Sequence, residues 1–189
     1  MALLAAHAQS VRWWWLAISL LASVLAAEIP AQAKIQDYQV KAVFLFNFTQ
    51  FVGWPSGAFA DAHKPLVIGV LGDDPFGAYL DETVRGETVD SRPLVVRRYR
   101  RAEDVDAQVL FISGSEAGRL EQDVARLKDR SILTVSDIDG FLQRGGMVHF
   151  VTENDRVRLR INVDVAKAAG LTISSKLLRV SEVITAEKE

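Results

Sequence analysis

Hydrophobic positions fall into distinct patterns along the chain. From Trp13 to Ala27, just after Arg12, fifteen residues carry no charge. That run is shorter than the ~20 residues of a spanning helix and has the length of a signal-peptide hydrophobic region. Pro30 is expected to break the helix, and Ala31-Gln32-Ala33 offers small residues for cleavage after Ala33, with Ala26 as second choice. Residues 1–33 are therefore expected to be a signal peptide and 34–189 the exported mature domain.

Asp37 is expected to cap a helix that runs to about Val52 and stops before Gly53-Trp54-Pro55. No residue from Ala42 to Ala60 is charged, and Phe44, Phe46, Phe48 and Phe51 all fall in this helix. A surface helix normally keeps one polar face. This one is apolar nearly all round its second half, so it is expected either to lie between layers of the fold or to cover a partner. Asn47, Thr49 and Gln50 argue against a membrane span.

Strands and helices then alternate. Leu66–Leu71 is a continuous apolar run, the pattern of a strand buried on both faces. Asp73-Asp74-Pro75 predicts a helix start, with the helix running through about Val84. Leu94–Val96 and Val109–Ile112 read as the second and third strands, and Glu116–Lys128 as a helix with Leu120, Val124 and Leu127 at helical spacing. Ile132–Val135 is a fourth strand, and Ile138–Gln143 a short helix closed by Gly145-Gly146. Met147–Thr152 and Val157–Ile161 alternate about Glu153-Asn154-Asp155-Arg156 and predict a hairpin. Asn162 then caps a helix ended by Gly170, Leu171–Ser174 forms a short strand, and Ser175 caps a helix over 176–182. The pattern predicts one α/β domain with a mixed sheet of about six strands and helices on both faces.

Composition narrows the chemistry. The 189 residues include 22 Lys+Arg and 24 Asp+Glu, a net charge of −2, with 49% hydrophobic and 24% charged residues. That is a globular composition, and its near-neutral charge offers no basic surface for nucleic acid. With no cysteine, disulfides, thiolate metal sites and a cysteine nucleophile are excluded.

Ligands in open α/β sheets gather beyond the carboxyl ends of strands, which makes Gly72, Asp73 and Asp74 the candidate pocket. Gly72 and Gly77 have P-loop spacing, but Ala78-Tyr79 stands where Lys-Ser/Thr is required. Two adjacent acids would also repel phosphate, and the plainer reading is helix capping. Ser113 ends the third strand where a phospho-receiver would need a further aspartate. Gly114-Ser115-Glu116-Ala117-Gly118 does not place its serine centrally between the glycines, as a nucleophile elbow does. His63 and His149 have no partner ligand at metal-site spacing. No catalytic residue, metal ligand set or cofactor site is expected. Arg97-Arg98-Tyr99-Arg100-Arg101 reads as a solvated strand edge, where positive charge discourages aggregation.

Several stretches together resemble the YfiR family of exported bacterial proteins. They are Lys41–Pro55, with Asn47, Phe51, Trp54 and Pro55; Gly69–Gly77, with Gly72, Pro75 and Gly77; Leu110–Ser113; and Leu133–Asp137. Gly145-Gly146-Met147 follows, then a closing stretch with Asn162, Gly170, Ser174, Ser175 and Leu178. The resemblance covers essentially the whole mature chain. It implies a non-enzymatic periplasmic repressor that binds the periplasmic sensor domain of an inner-membrane diguanylate cyclase, and whose release raises cyclic di-GMP and favours biofilm formation. It also implies a homodimer, with no nucleic-acid partner and no membrane insertion after signal cleavage. Some members carry cysteine pairs, and this chain has none. On this reading Trp54 beside Pro55 is the candidate anchor, with Glu153, Asn154 and Arg160 as candidate rim contacts. The alternative is a periplasmic small-molecule binding module with its pocket near Gly72–Asp74.

Overall fold

The computed structural model describes residues 29–59, 61 and 64–184. The apolar run at 13–27 and most of the expected signal peptide lie outside the described residues. The chain divides into a unit of residues 1–37 and a unit of residues 38–189. Helix α1 covers Ile29–Phe51. Pro30 lies in the first turn of this helix, a position that tolerates proline, and the apolar run it was expected to break lies outside the described residues. Asp37, expected as the cap, is an interior helical residue.

Within residues 38–189, the sheet is built from β2 (Leu66–Leu71), β3 (Thr88–Val89), β4 (Arg92–Tyr99), β5 (Val109–Ile112), β6 (Leu133–Ser136), β7 (Val148–Glu153), β8 (Arg156–Asn162) and β10 (Glu182–Ile184). Their order is β10-β8-β7-β6-β5-β2-β4-β3. Strands β4, β2, β5, β6 and β7 run parallel, β8 pairs antiparallel to β7 and parallel to β10, and β3 pairs antiparallel to β4. In chain order the parallel core reads 2-1-3-4-5, the doubly wound flavodoxin-like order whose switch point lies between β2 and β5. The sheet has eight strands where about six were expected, because β3 and β10 are too short to leave a sequence pattern. A separate two-stranded sheet pairs β1 (Val52–Gly53) with β9 (Thr172–Ile173).

Alternate residues of the central strands feed two cores. Ile68, Val70, Val109, Phe111, Leu133 and Val135 point to one, with Ala42, Leu45 and Phe48 of α1, Leu80 of α2 (Ala78–Val84) and Ala166 of α4 (Val163–Ala168). Val67, Leu71, Leu110 and Ile112 point to the other, with Leu120, Val124 and Leu127 of α3 (Leu120–Leu127). Both faces are covered, which is why these strands read as unbroken apolar runs.

Boundaries differ where turn chemistry intervenes. Helix α2 begins at Ala78, not near Pro75, because Gly77 takes φ +56° and Asp74 Oδ1 accepts the Phe76 N–H at 2.8 Å in a local turn. The predicted helix at Ile138–Gln143 is a run of turns. Phe141 of that run is fully buried, and a Cβ on Gly146 would lie 2.3 Å from its ring, so only glycine lets the chain pass. The helix predicted over 176–182 is the shorter α5 (Ser175–Leu178), and the chain turns out of it into β10.

Candidate functional site

Helix α1 is fixed to the carboxyl end of the sheet by a polar clasp. Lys41 is 4% exposed, and its Nζ lies 2.8 Å from Asp137 Oδ2, just past the end of β6. Tyr38 donates its hydroxyl to the same oxygen at 3.0 Å, and the ammonium sits 4.4 Å from the Tyr38 ring centroid. One turn on, Phe44 and Phe48 pack against Phe150 of β7. His149 stands beside this clasp, in register with Ser136 and Arg160. Burial pushes its pKa below the ordinary value, opposed by Asp139 and Asp137 and reinforced by Arg160. The sequence reading missed Lys41 and Asp137, although one signal was present: Lys41 is the last charge before a segment that otherwise has none.

This clasp turns one side of α1 outward. Lys41, Ala42, Leu45, Phe48 and Thr49 are buried, while Val40, Val43 and Gln50 are exposed on the opposite side, with Asn47 between them half-buried. At 100° per residue these two sets lie about half a turn apart. Val40 and Val43 are 45% and 41% exposed. The outer face is thus apolar or neutral, bordered by half-buried Phe44, Phe46 and Phe51.

The chain leaves α1 through β1, where Val52 pairs with Ile173 and Gly53 with Thr172. Ser174 donates its backbone N–H to Phe51 O at 2.9 Å. Trp54 is half-buried and packs on the core, yet its indole N–H is enclosed without a hydrogen-bond partner among the described residues. Pro55 is exposed, and Gly170 passes beneath it. Opening and closing stretches of the domain, distant in sequence, therefore form one surface around Trp54 and Pro55.

At the switch point, Gly72 takes φ +90°, and a Cβ there would fall 2.3 Å from Ser115 Oγ and 2.5 Å from Glu116 Oε1. Glu116 is only 4% exposed. Asp73 donates its N–H to Ser115 Oγ at 3.0 Å, and its carboxylate meets Arg100 at 3.3 Å. Asp74 Oδ2 accepts from Arg98 Nε at 2.9 Å, and Arg98 also grips Asp81. That hydrogen bond holds the Asp81 carboxyl below the usual range. Gly72, Asp73 and Asp74 thus surround side chains already committed to one another, and cavities of about 180, 360 and 120 Å³ lie elsewhere. Every arginine of the basic run faces an acid: Arg97 with Asp106, Arg98 with Asp74 and Asp81, Arg100 with Asp73, Arg101 with Asp104.

The hairpin between β7 and β8 turns at Asn154 and Asp155, both at positive φ. Glu153 and Arg160 pair at 3.0 Å, and Arg160 Nε reaches Glu182 of β10 at 2.8 Å. Among the described residues no group of His, Cys, Asp and Glu could hold a metal ion, and no helix is long and apolar enough to cross a membrane.

A family model of YfiR/HmsC-like proteins matches residues 38–182. The chain belongs to the YfiR/HmsC-like family. Several motif residues of this YfiR/HmsC-like chain have structural tasks: Asn162 Oδ1 accepts the Val165 N–H at 3.1 Å to cap α4, and Ser174, not Ser175, caps α5 through Lys176 N at 3.3 Å. Leu178 packs on the core, and Gly145 takes φ +87° in the turn before β7. Two solved structures are similar over part of the chain. One is a conserved domain protein from Vibrio cholerae O1 biovar eltor str. N16961, at 14% identity and TM-score 0.44, covering 63% of this chain and 54% of that one. The other is the ABC domain in complex with L-Trp from Streptococcus pneumonia, at 12% identity and TM-score 0.46, covering 63% and 55%. The YfiR/HmsC-like chain spans just over half the length of each. No curated protein matches it.

Proposed function

We propose that this YfiR/HmsC-like protein is an exported regulator that binds the periplasmic domain of an inner-membrane diguanylate cyclase and holds the cyclase inactive. Membership of the family supports the reading. The observation that carries it is the outward face of α1, where Val40 and Val43 are exposed beside a stretch without charge that continues past Trp54 and Pro55. Isolated exposed apolar residues are ordinary, but a neutral aromatic-bordered face of this kind suits a protein contact. Trp54 and Pro55 would sit toward the middle of the contact, with Glu153, Asn154 and Arg160 as polar rim. Residues 1–33 would be removed on export, a boundary compatible with a unit and a family match that both begin at residue 38.

The test is cellular. Deleting the gene should raise cyclic di-GMP, and restoring the exported protein should lower it only while the membrane cyclase is present. An unchanged cyclic di-GMP level in the deletion would refute the repressor reading.

A further inference from the structure

The carboxyl ends of the strands are occupied by side chains committed to one another, but their amino ends are not. Ahead of β2 and β5 lies a cavity of about 180 Å³, lined by Phe59, Lys64, Val67, Arg97, Asp106 and Gln108 among others. That volume corresponds to about six water molecules of liquid, enough for a small organic molecule. It lies at the end of the sheet where the switch-point rule does not look.

Gln108 is the fixed element. It is 8% exposed, its Oε1 accepts the Val67 N–H at 2.9 Å, its own N–H donates to Val67 O at 3.0 Å, and its carbonyl accepts from Leu133 N at 2.8 Å. Three bonds therefore hold the residue in place, while its amide nitrogen has no partner among the described residues. That nitrogen is open to solvent and not enclosed, so it can donate to a water that a ligand oxygen could displace.

The charges around it are loosely matched. Asp106 lies 3.8 Å from Lys64 Nζ and 3.5 Å from Arg97 Nη1, both ion-pair contacts beyond ordinary hydrogen-bond length. Two cations face one carboxylate, leaving one positive charge and unspent donors. Phe59 adds apolar surface, and its ring is held by Arg92, whose guanidinium carbon lies 4.1 Å from the centroid. Arg92 is itself anchored to the carbonyls of Asp61 and Lys64 at 2.8 and 2.9 Å.

We propose that this cavity is a binding site for a small organic monocarboxylate, held by Arg97, Lys64 and the Gln108 amide, with its hydrocarbon tail against Phe59 and Val67. One excess positive charge matches one carboxylate. The apolar wall distinguishes an organic acid from an inorganic anion. The site is separate from the outer face of α1, so its failure would leave the cyclase reading untouched.

The probe is 3-methylbutanoate, titrated by calorimetry and by nitrogen-15 NMR into the protein expressed from its full chain, with 3-methylbutanamide and sulfate as controls. The carboxylate should bind at least about tenfold more tightly than the neutral amide, the difference expected of a charge-assisted contact. It should shift the side-chain amide signals of Gln108. Arg97→Met and Gln108→Leu should each weaken binding about tenfold or more, and Lys64→Met, at an exposed position, keeps the test valid if either fails to fold. No binding up to about 10 mM, equal binding of the amide, equal binding of sulfate, or full affinity in Lys64→Met with folded Arg97→Met would each overturn the proposal.

Discussion

Lys41 of α1 and Asp137 beyond β6 meet at 2.8 Å although they lie 96 positions apart in sequence. With Tyr38 they fix which side of α1 faces the sheet, and so which side is left outward. The pair is largely enclosed, with side chains 5% and 16% exposed. Removing one member of a buried pair leaves the other charge poorly compensated. Lys41→Met should cost about 2–4 kcal/mol, less than a fully buried pair because Tyr38 still donates to Asp137. Urea denaturation should show a lower midpoint with an unchanged slope. Lys41→Met combined with Asp137→Leu should recover much of the loss.

His149 links this region to pH. Because burial lowers its pKa in the folded state, the unfolded chain takes up the proton first as pH falls. The contribution of His149 is therefore complete above the ordinary value of 6.5 and is lost as pH drops through that value toward the lower folded pKa. Melting temperatures between about pH 7.5 and 5 should fall less steeply in His149→Gln than in the parent. Parallel profiles would show that the facing acids Asp137 and Asp139 offset the burial and the Arg160 charge.

Asp123 of α3 behaves in the opposite sense. It is 2% exposed, and burial raises its pKa, with Glu116 adding to the effect and Arg119 and Arg126 opposing it. Its Oδ2 lies 3.5 Å from Arg119 Nε but makes no hydrogen bond. A raised folded pKa means that the ionised form is disfavoured at neutral pH. Asp123→Asn should raise the melting temperature at pH 7 by about 2–4 °C, the equivalent of about 1 kcal/mol in a chain of this size. The gain should shrink as pH falls through the folded pKa toward 3.8. A lower melting temperature at pH 7 would mean that the arginine contacts outweigh desolvation.

Variants of Trp54 can separate stability from the proposed recognition. Its ring packs on the core while its indole N–H is enclosed and unpaired. Trp54→Phe removes that donor and keeps most of the ring, so melting should change by no more than a few degrees or rise slightly. Trp54→Ala should destabilise by about 1–3 kcal/mol, short of the 3–5 typical of a fully buried tryptophan. In both variants capture of the cyclase domain should weaken beyond what the folded fraction explains.

Central strands were legible because burial on both faces writes an unbroken apolar run, as in Leu66–Leu71 and Val109–Ile112. Asn162 and Gly170 marked the ends of α4 for equally local reasons. What stayed hidden was non-local. Strand β9 was readable as a short strand, but nothing in Thr172-Ile173 says that it pairs with Val52-Gly53 instead of joining the main sheet. Asp74 and Pro75 look like a helix start, yet Arg98 and a local turn claim Asp74 first. The uncharged character of α1 from Ala42 onward was visible from the start, whereas its outward side was not, because that depends on the pairing of Lys41 with Asp137.

The most direct test measures binding of the protein to the isolated periplasmic domain of the proposed cyclase partner, for the parent and for Val43→Asp. Val43 is 41% exposed, so aspartate there should leave melting nearly unchanged. The account predicts a stable complex with the parent and a loss of about tenfold or more in the variant, as expected for a charge placed inside an apolar contact. No complex with the parent, or equal affinity in both, would contradict it.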